Sequence, residues 1–255
     1  VSSSQGTTFA IRFFSCQAGF TRVGASSTEC LPSGQWSASV PSCNANPCTP
    51  NLLPPGNGTV NATSGTTGQA ARYSCNAGYS MTGAALTTCR TDGSWSSSRP
   101  TCQPLPCASL VAPGNGSVTN TAGHTGDVRT FSCNAGFTLI GSSTTACLSS
   151  STWTHAVPVC SANSCTTLAS PGNGTVSSTH GTTFTVRYFS CNAGFSLVGS
   201  SSSECLATGA WSSATPHCSP NACPALQAPA HGAVSSTRGT TFDVRFFSCS
   251  NGFNL

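Results

Sequence analysis

The chain has 255 residues, of which only 5% are charged: nine arginines, no lysine and five acidic residues, for a net charge of +4. Nucleic-acid binding calls for a basic patch and calcium for clustered carboxylates, and this sequence concentrates neither. No run of 18 apolar residues appears, so no membrane span lies within this stretch. Ser and Thr make up roughly three residues in ten and must do most of the solvating that Lys and Glu usually do.

What dominates instead is 17 cysteines on a regular grid. Cys16, Cys75, Cys133, Cys191 and Cys249 recur every 58 or 59 residues. Cys30, Cys89, Cys147 and Cys205 follow 14 residues later, and Cys43, Cys102, Cys160 and Cys218 follow 13 after that. Cys48, Cys107, Cys165 and Cys223 open each new unit after a four-residue gap. Such a period marks a tandem array, with the repeat as the folding unit. In chain order it predicts a partial unit at 1–43, full units at 48–102, 107–160 and 165–218, and a second partial unit at 223–255. Units below roughly 60 residues bury too little apolar surface to be stable without staples. Disulfides at this density persist only in an oxidising compartment, which predicts a secreted protein or the ectodomain of a cell-surface one. The linkers, such as Asn44 to Pro47, reach at most about 14 Å when extended, so neighbouring units nearly touch.

Within a unit, the stretch from Cys165 to Cys218 serves as the type. Leu168 and the turn Pro171-Gly172-Asn173-Gly174 lead it in. The β-branched and aromatic run 183–190 reads as a strand, followed by a turn at Asn192-Ala193-Gly194 and a second strand, 195–198. A third, brief strand covers 203–206, and Pro216-His217-Cys218 closes the unit. No helical period of useful length appears. Arg12, Arg129, Arg187 and Arg245 stand four before their cysteine, where strict alternation turns a charge inward. A β-bulge near Tyr188-Phe189 is expected to turn Arg187 outward.

The landmarks keep their offsets. Trp36, Trp95, Trp153 and Trp211 precede the closing cysteine by seven residues and are the expected core, since one indole beside two disulfides can centre so small a module. Pro41, Pro100, Pro158 and Pro216 precede it by two, and pairs such as Gly19-Phe20 and Gly78-Tyr79 follow the other cysteine. Gly34, Gly93 and Gly209 stand two before the tryptophan, where the third unit has Ser151. This order of cysteines, Gly-aromatic pair, Trp and Pro resembles the sushi family, also called complement control protein modules or short consensus repeats, over the whole chain. The resemblance implies an all-β fold: small disulfide-stapled, β-sandwich-like modules in an elongated string. Four cysteines allow three pairings, and spacing does not choose among them. The family pattern, first to third and second to fourth, implies Cys16–Cys43, Cys48–Cys89, Cys75–Cys102, Cys107–Cys147, Cys133–Cys160, Cys165–Cys205 and Cys191–Cys218. Cys30, Cys223 and Cys249 are then expected to lack partners because the chain is cut within units.

No catalytic constellation is read from the sequence. His124, His155, His180, His217 and His231 fall at unrelated repeat positions. The pair Cys43-x4-Cys48 straddles two units without a histidine at zinc spacing. No cofactor and no metal are expected. Asn57, Asn61, Asn115 and Asn173 head glycosylation sequons, and three of these also read as Asn-Gly turns. The variable stretches 63–69, 121–127 and 179–183 are the best candidate contact surface, although they lack aromatic or arginine anchors. Together these features predict a non-catalytic adhesion or recognition array, monomeric and extended, with an extracellular protein or glycan ligand. The alternatives are a complement-regulator-like receptor and modules flanking an enzyme domain.

Overall fold

The computed structural model describes residues 7–254, and these contain β-strands and turns without an α-helix. The chain forms two compact units. The first comprises Val1–Ser109, Ala122–Arg129 and Thr145–His155; the second comprises Leu110–Thr121, Thr130–Thr144 and Ala156–Leu255. The third repeat contributes to both.

In the first unit, Ile11–Phe13 pairs antiparallel with Ser27–Glu29, and Phe20–Val23 with Ser42–Ala45. The next repeat builds a three-stranded sheet in which Ala70–Cys75 lies between Gly58–Val60 and Leu86–Thr88. Tyr79–Thr82 turns away from it to pair with Thr101–Pro104. In the second unit, Val186–Cys191 lies between Gly174–Val176 and Ser202–Glu204, and Phe195–Val198 pairs with His217–Pro220. The third-repeat strand Phe137–Ile140 pairs likewise with Val159–Ala162.

The central strand of the type unit begins later than its composition suggests. Thr182 to Thr185 form a turn closed by the Thr185 N–H on the Thr182 carbonyl (2.8 Å), so the strand starts at Val186 rather than at 183. Phe184 sits in that turn with φ at +65°, left-handed despite its bulk. Two residues before the tryptophan, Ser151 (φ +62°) takes the same left-handed conformation as Gly34, Gly93 and Gly209, which explains the glycine preference there.

Seven disulfides hold the repeats: Cys16–Cys43, Cys48–Cys89, Cys75–Cys102, Cys107–Cys147, Cys133–Cys160, Cys165–Cys205 and Cys191–Cys218. Each closes a loop of 27, 40 or 41 residues, which the chain-entropy model converts to about 3–4 kcal/mol per bridge. Cys30, Cys223 and Cys249 are free thiols. Between the two bridges of the second repeat lies a small apolar core of Leu52, Ala71 and Tyr73, with Val60, Ala62, Met81 and Trp95 packed against it. Phe131 with Leu110 and Phe189 with Leu168 do the same in the following repeats.

In the second, third and fourth repeats the most buried aromatic is the one two residues before the cysteine, Tyr73, Phe131 or Phe189, and the expected core residue Trp95 packs against this centre from outside it. Trp95, Trp153 and Trp211 are half-buried and Trp36 is 39% exposed. Each of the three half-buried rings abuts a glycine, Gly65, Gly123 or Gly181, at its outer edge, where even a methyl group would collide with it. Their indole N–H groups donate to backbone carbonyls of Pro50 (3.0 Å), Ala108 (2.7 Å) and Thr166 (2.6 Å). An indole keeps a polar N–H to satisfy, which suits it to a rim position better than a sealed centre.

A buried hydroxyl ties the strand under the tryptophan to the loop beyond it. Thr87 accepts the Ser97 N–H (3.1 Å) and donates to the Ser97 carbonyl (3.2 Å); Thr145 does so with His155 and Ser203 with Ser213. These side chains are almost wholly buried, and the two-way bond removes the cost of burying them. The bulge expected beside Arg187 is absent: Val186, Arg187 and Tyr188 face Glu204, Ser203 and Ser202 in unbroken register. The arginine stays on the inward alternation, half-buried, and its Nε donates to the His180 carbonyl (2.8 Å). Arg129 and Arg245 do likewise with Ala122 and Arg238, and each also meets an aspartate, Asp127 or Asp243, at 2.8 Å. A long aliphatic stem lets the guanidinium reach the rim without any distortion of the strand.

Candidate functional site

A recurring polar arrangement lies where one module meets the next. Between the third and fourth repeats, within the second unit, the Gly136 carbonyl accepts two hydrogen bonds: from the Asn163 N–H (2.8 Å) and from Thr183 Oγ1 (2.7 Å). The Thr183 N–H donates to the Asn163 carbonyl (2.9 Å), and Thr138 Oγ1 donates to Asn163 Oδ1 (2.6 Å). The rings of Phe137 and Phe184 meet with centroids 6.1 Å apart. The joint between the fourth and fifth repeats repeats this set with Gly194, Asn221, Thr241, Ser196, Phe195 and Phe242.

In the first unit the joint between the first two repeats keeps the hydrogen bonds: Thr67 Oγ1 to the Gly19 carbonyl (2.9 Å) and Thr21 Oγ1 to Asn46 Oδ1 (2.6 Å). The next joint keeps the backbone path through Gly78, Leu105 and Thr125, but Leu105 replaces the asparagine. Gly68 and Gly126 stand where Phe184 and Phe242 stand in the other two joints.

Gly19, Gly78, Gly136 and Gly194 are required at these joints twice over. Their φ angles are +84° to +87°, and a Cβ on any of them would come within 2.5–2.6 Å of the threonine methyl of the following module. The turn glycine of each Gly-aromatic pair thus serves as a seat for its neighbour.

Part of each variable stretch, the best candidate contact surface in the sequence, is taken up by these joints. Thr67, Thr125 and Thr183 lie inside those stretches, are at least half-buried, and bond to the preceding module. What remains outward in them includes His124 and Asp127, 4.0 Å apart. The carboxyls of Asp127 and Asp243 are held below the usual aspartate range, first by backbone N–H groups of His124 and Thr240 and further by Arg129 and Arg245.

The remaining sequence-marked residues are dispersed. Asn57, Asn115 and Asn173 occupy the left-handed position of their turns (φ +55° to +56°) and are exposed. Asn61 is also exposed, and its Oδ1 accepts the Arg72 N–H (2.7 Å). His155 and His180 contact their own neighbours Thr154 and Thr179, and His231 stacks on Phe253 at 4.5 Å. Among the described residues, no three His, Cys, Asp or Glu side chains converge as a metal-holding group. Cys30 is buried, Cys223 exposed and Cys249 half-buried. Sequence reading missed the joint threonines; a threonine recurring eight residues before the second cysteine of its unit carried no chemical signature of its own.

Comparison with known proteins agrees with this geometry. The family model described as "Sushi repeat (SCR repeat)" matches residues 10–43, 48–102, 107–160 and 165–218. E-selectin from Canis lupus familiaris is 32% identical over 95% of this chain and 43% of its own length. P-selectin from Mus musculus is 34% identical over 80% of this chain and 29% of its own. "Sushi, von Willebrand factor type A, EGF and pentraxin domain-containing protein 1" from Rattus norvegicus is 32% identical over 98% of this chain and 7% of its own. The chain spans less than half the length of each of these relatives. With the cysteine grid, the all-β repeats and the family match together, this chain belongs to the sushi, or short consensus repeat, family.

Proposed function

We propose that the chain is a non-catalytic extracellular array for adhesion or recognition, secreted or carried on a cell surface, in which linked modules present many weak contacts to a protein or glycan ligand. The observation that carries this reading is the recurring joint: backbone and threonine hydrogen bonds at every module boundary hold each successive module against the one before. Linked sites held in fixed register act at high effective concentration, so repetition raises avidity without new contacts. The likeness to selectins supports adhesion over a soluble regulatory role. Modules at 48–102, 107–160 and 165–218, with parts of two more at 1–43 and 223–255, are the units of this array. The half-buried Trp95, Trp153 and Trp211 close the cores of the three full modules.

Two measurements test this reading. In solution the chain is expected to be a monomer with an extended scattering profile, and a compact profile would sink the array. Beads carrying the chain at graded density should be retained on cells with a steep dependence on density; failure of retention at every density removes the adhesive role. We also propose N-glycans at Asn57, Asn61, Asn115 or Asn173, supported by the exposure of all four. Intact mass before and after glycosidase treatment of protein from a eukaryotic host decides it.

A further inference from the structure

The second module differs from its sisters in the lining beside its tryptophan. Beside Trp95 an open cleft of about 510 Å³ is lined by Leu52, Leu53, Tyr73, Trp95, Arg99 and the serines between Trp95 and Arg99. The fourth module has the same cleft beside Trp211, lined by Leu168 and Thr215. Among the residues that differ between them, two change the polar chemistry of the cleft. Tyr73 stands where the other modules have Phe14, Phe131, Phe189 and Phe247, and Arg99 stands where the fourth has Thr215.

Both substitutions leave a group in want of a partner. Tyr73 is 2% exposed, yet its hydroxyl has no hydrogen-bond partner among the described residues. Every other side-chain hydroxyl buried to that degree is bonded: Thr87, Thr145 and Ser203 each bond twice to backbone. Loss of hydration raises the Tyr73 pKa above its ordinary value, against the opposing charge of Arg99, so the phenol stays a neutral donor at physiological pH. Arg99 is exposed; its only hydrogen bond among the described residues is a long one to the Pro54 carbonyl (3.5 Å), and none of the ion pairs involves it. Next to these polar groups Leu53 is 63% exposed.

We infer that this cleft binds a peptide segment of a protein partner in which a carboxylate lies beside an apolar side chain. The carboxylate meets Arg99, the best-matched cation for a planar two-oxygen acceptor, and supplies an acceptor toward the Tyr73 hydroxyl. The apolar neighbour covers Leu52 and Leu53. A sugar fits less well: the outer edge of the half-buried Trp95 indole abuts Gly65 and its N–H is engaged by the Pro50 carbonyl, so two sides of the ring are already taken. The inference goes beyond the array reading, and its test reads side chains of one module, so its failure leaves that reading standing.

The experiment is an NMR titration of the full chain with acetyl-Leu-Glu-Leu-amide, its Gln counterpart, acetate and N-acetylneuraminic acid. Saturable shifts of the Trp95 indole N–H and the Leu53 methyls are expected with the Glu peptide. Binding should weaken about tenfold with the Gln peptide or with Arg99→Thr, the loss of one charge-assisted pair. Tyr73→Phe should weaken binding several-fold while leaving the thermal midpoint unchanged or higher, which a purely structural tyrosine would not do. Both substitutions install the residue a sister module already carries, so folding is preserved. The inference is overturned if no saturable shift appears up to about 10 mM. Equal binding of the two peptides, acetate reproducing the shifts, or neuraminic acid outcompeting the peptide would each overturn it as well.

Discussion

The joint between the third and fourth modules and the joint between the second and third use one backbone scheme with different side chains. In the former, Asn163 is latched by Thr138 and the rings of Phe137 and Phe184 meet across the boundary. In the latter, Leu105 and Gly126 occupy the corresponding places, and Thr125 Oγ1 reaches only the Leu105 carbonyl at 3.3 Å. The glycine seat and the N–H to carbonyl path are common to both, which makes them the minimum that orders a joint; the asparagine and the aromatic pair are reinforcement. Phe184 takes a left-handed backbone at a cost glycine does not bear, and its contact with Phe137 is what offsets that strain. The comparison teaches that stiffness can be varied along one array without altering its modules.

Four experiments break or sharpen it. The largest effect is expected from Gly136→Val or Gly78→Val, which forces a β-branched residue into φ near +86° and against a threonine methyl. Each should cost about 3 kcal/mol, read as a fall in the calorimetric midpoint of the flanking modules. Equal losses at both joints would show that the seat is the shared element; a loss at Gly136 alone would refute that. Next, Phe184→Gly exchanges an aromatic contact of about 0.5–1.5 kcal/mol for relief of backbone strain. The midpoint should move little, while amide exchange at Asn163 and Thr183 accelerates to the rate at Leu105 and Thr125.

Smaller still is Leu105→Asn, which places an acceptor opposite Ser80, the residue aligned with Thr138 and Ser196. One added hydrogen bond should contribute about 1 kcal/mol and slow exchange at Thr125. The smallest effect is acidification. Asp127 and Asp243 have lowered native pKa values, so the stability they contribute is complete above the unfolded aspartate value and is lost as pH falls through the native one. Thermal midpoints should therefore decline only below the ordinary aspartate range. Asp127→Asn should remove that dependence at the 2–3 joint and leave the joint between the fourth and fifth modules unchanged.

The all-β, repeat-built fold was legible because cysteine spacing and alternating strands are local patterns that survive without knowledge of contacts. The site was legible only in part. The tryptophans could be found but not placed: their even spacing says that one indole serves each module, whereas its rim position follows from the N–H to carbonyl bond and the glycine at its edge. Arg187 read as a misfit because period-2 alternation ignores side-chain length; the stem carries its charge to the rim, and no bulge forms. The role of Thr67, Thr125 and Thr183 in the joints was hidden because their side chains bond residues that precede their own repeat, 20 or more positions away. Tyr73 differs from its phenylalanine sisters by one oxygen, a difference that means nothing until burial leaves that oxygen without a partner.

From residue order alone came the number of repeats, their β character and the need for an oxidising environment, since each follows from composition and period. Which sulfurs pair, which glycines become seats and which threonines become latches was decided by the folded chain. Bonds between distant residues depend on where strands converge, and no local pattern encodes that convergence.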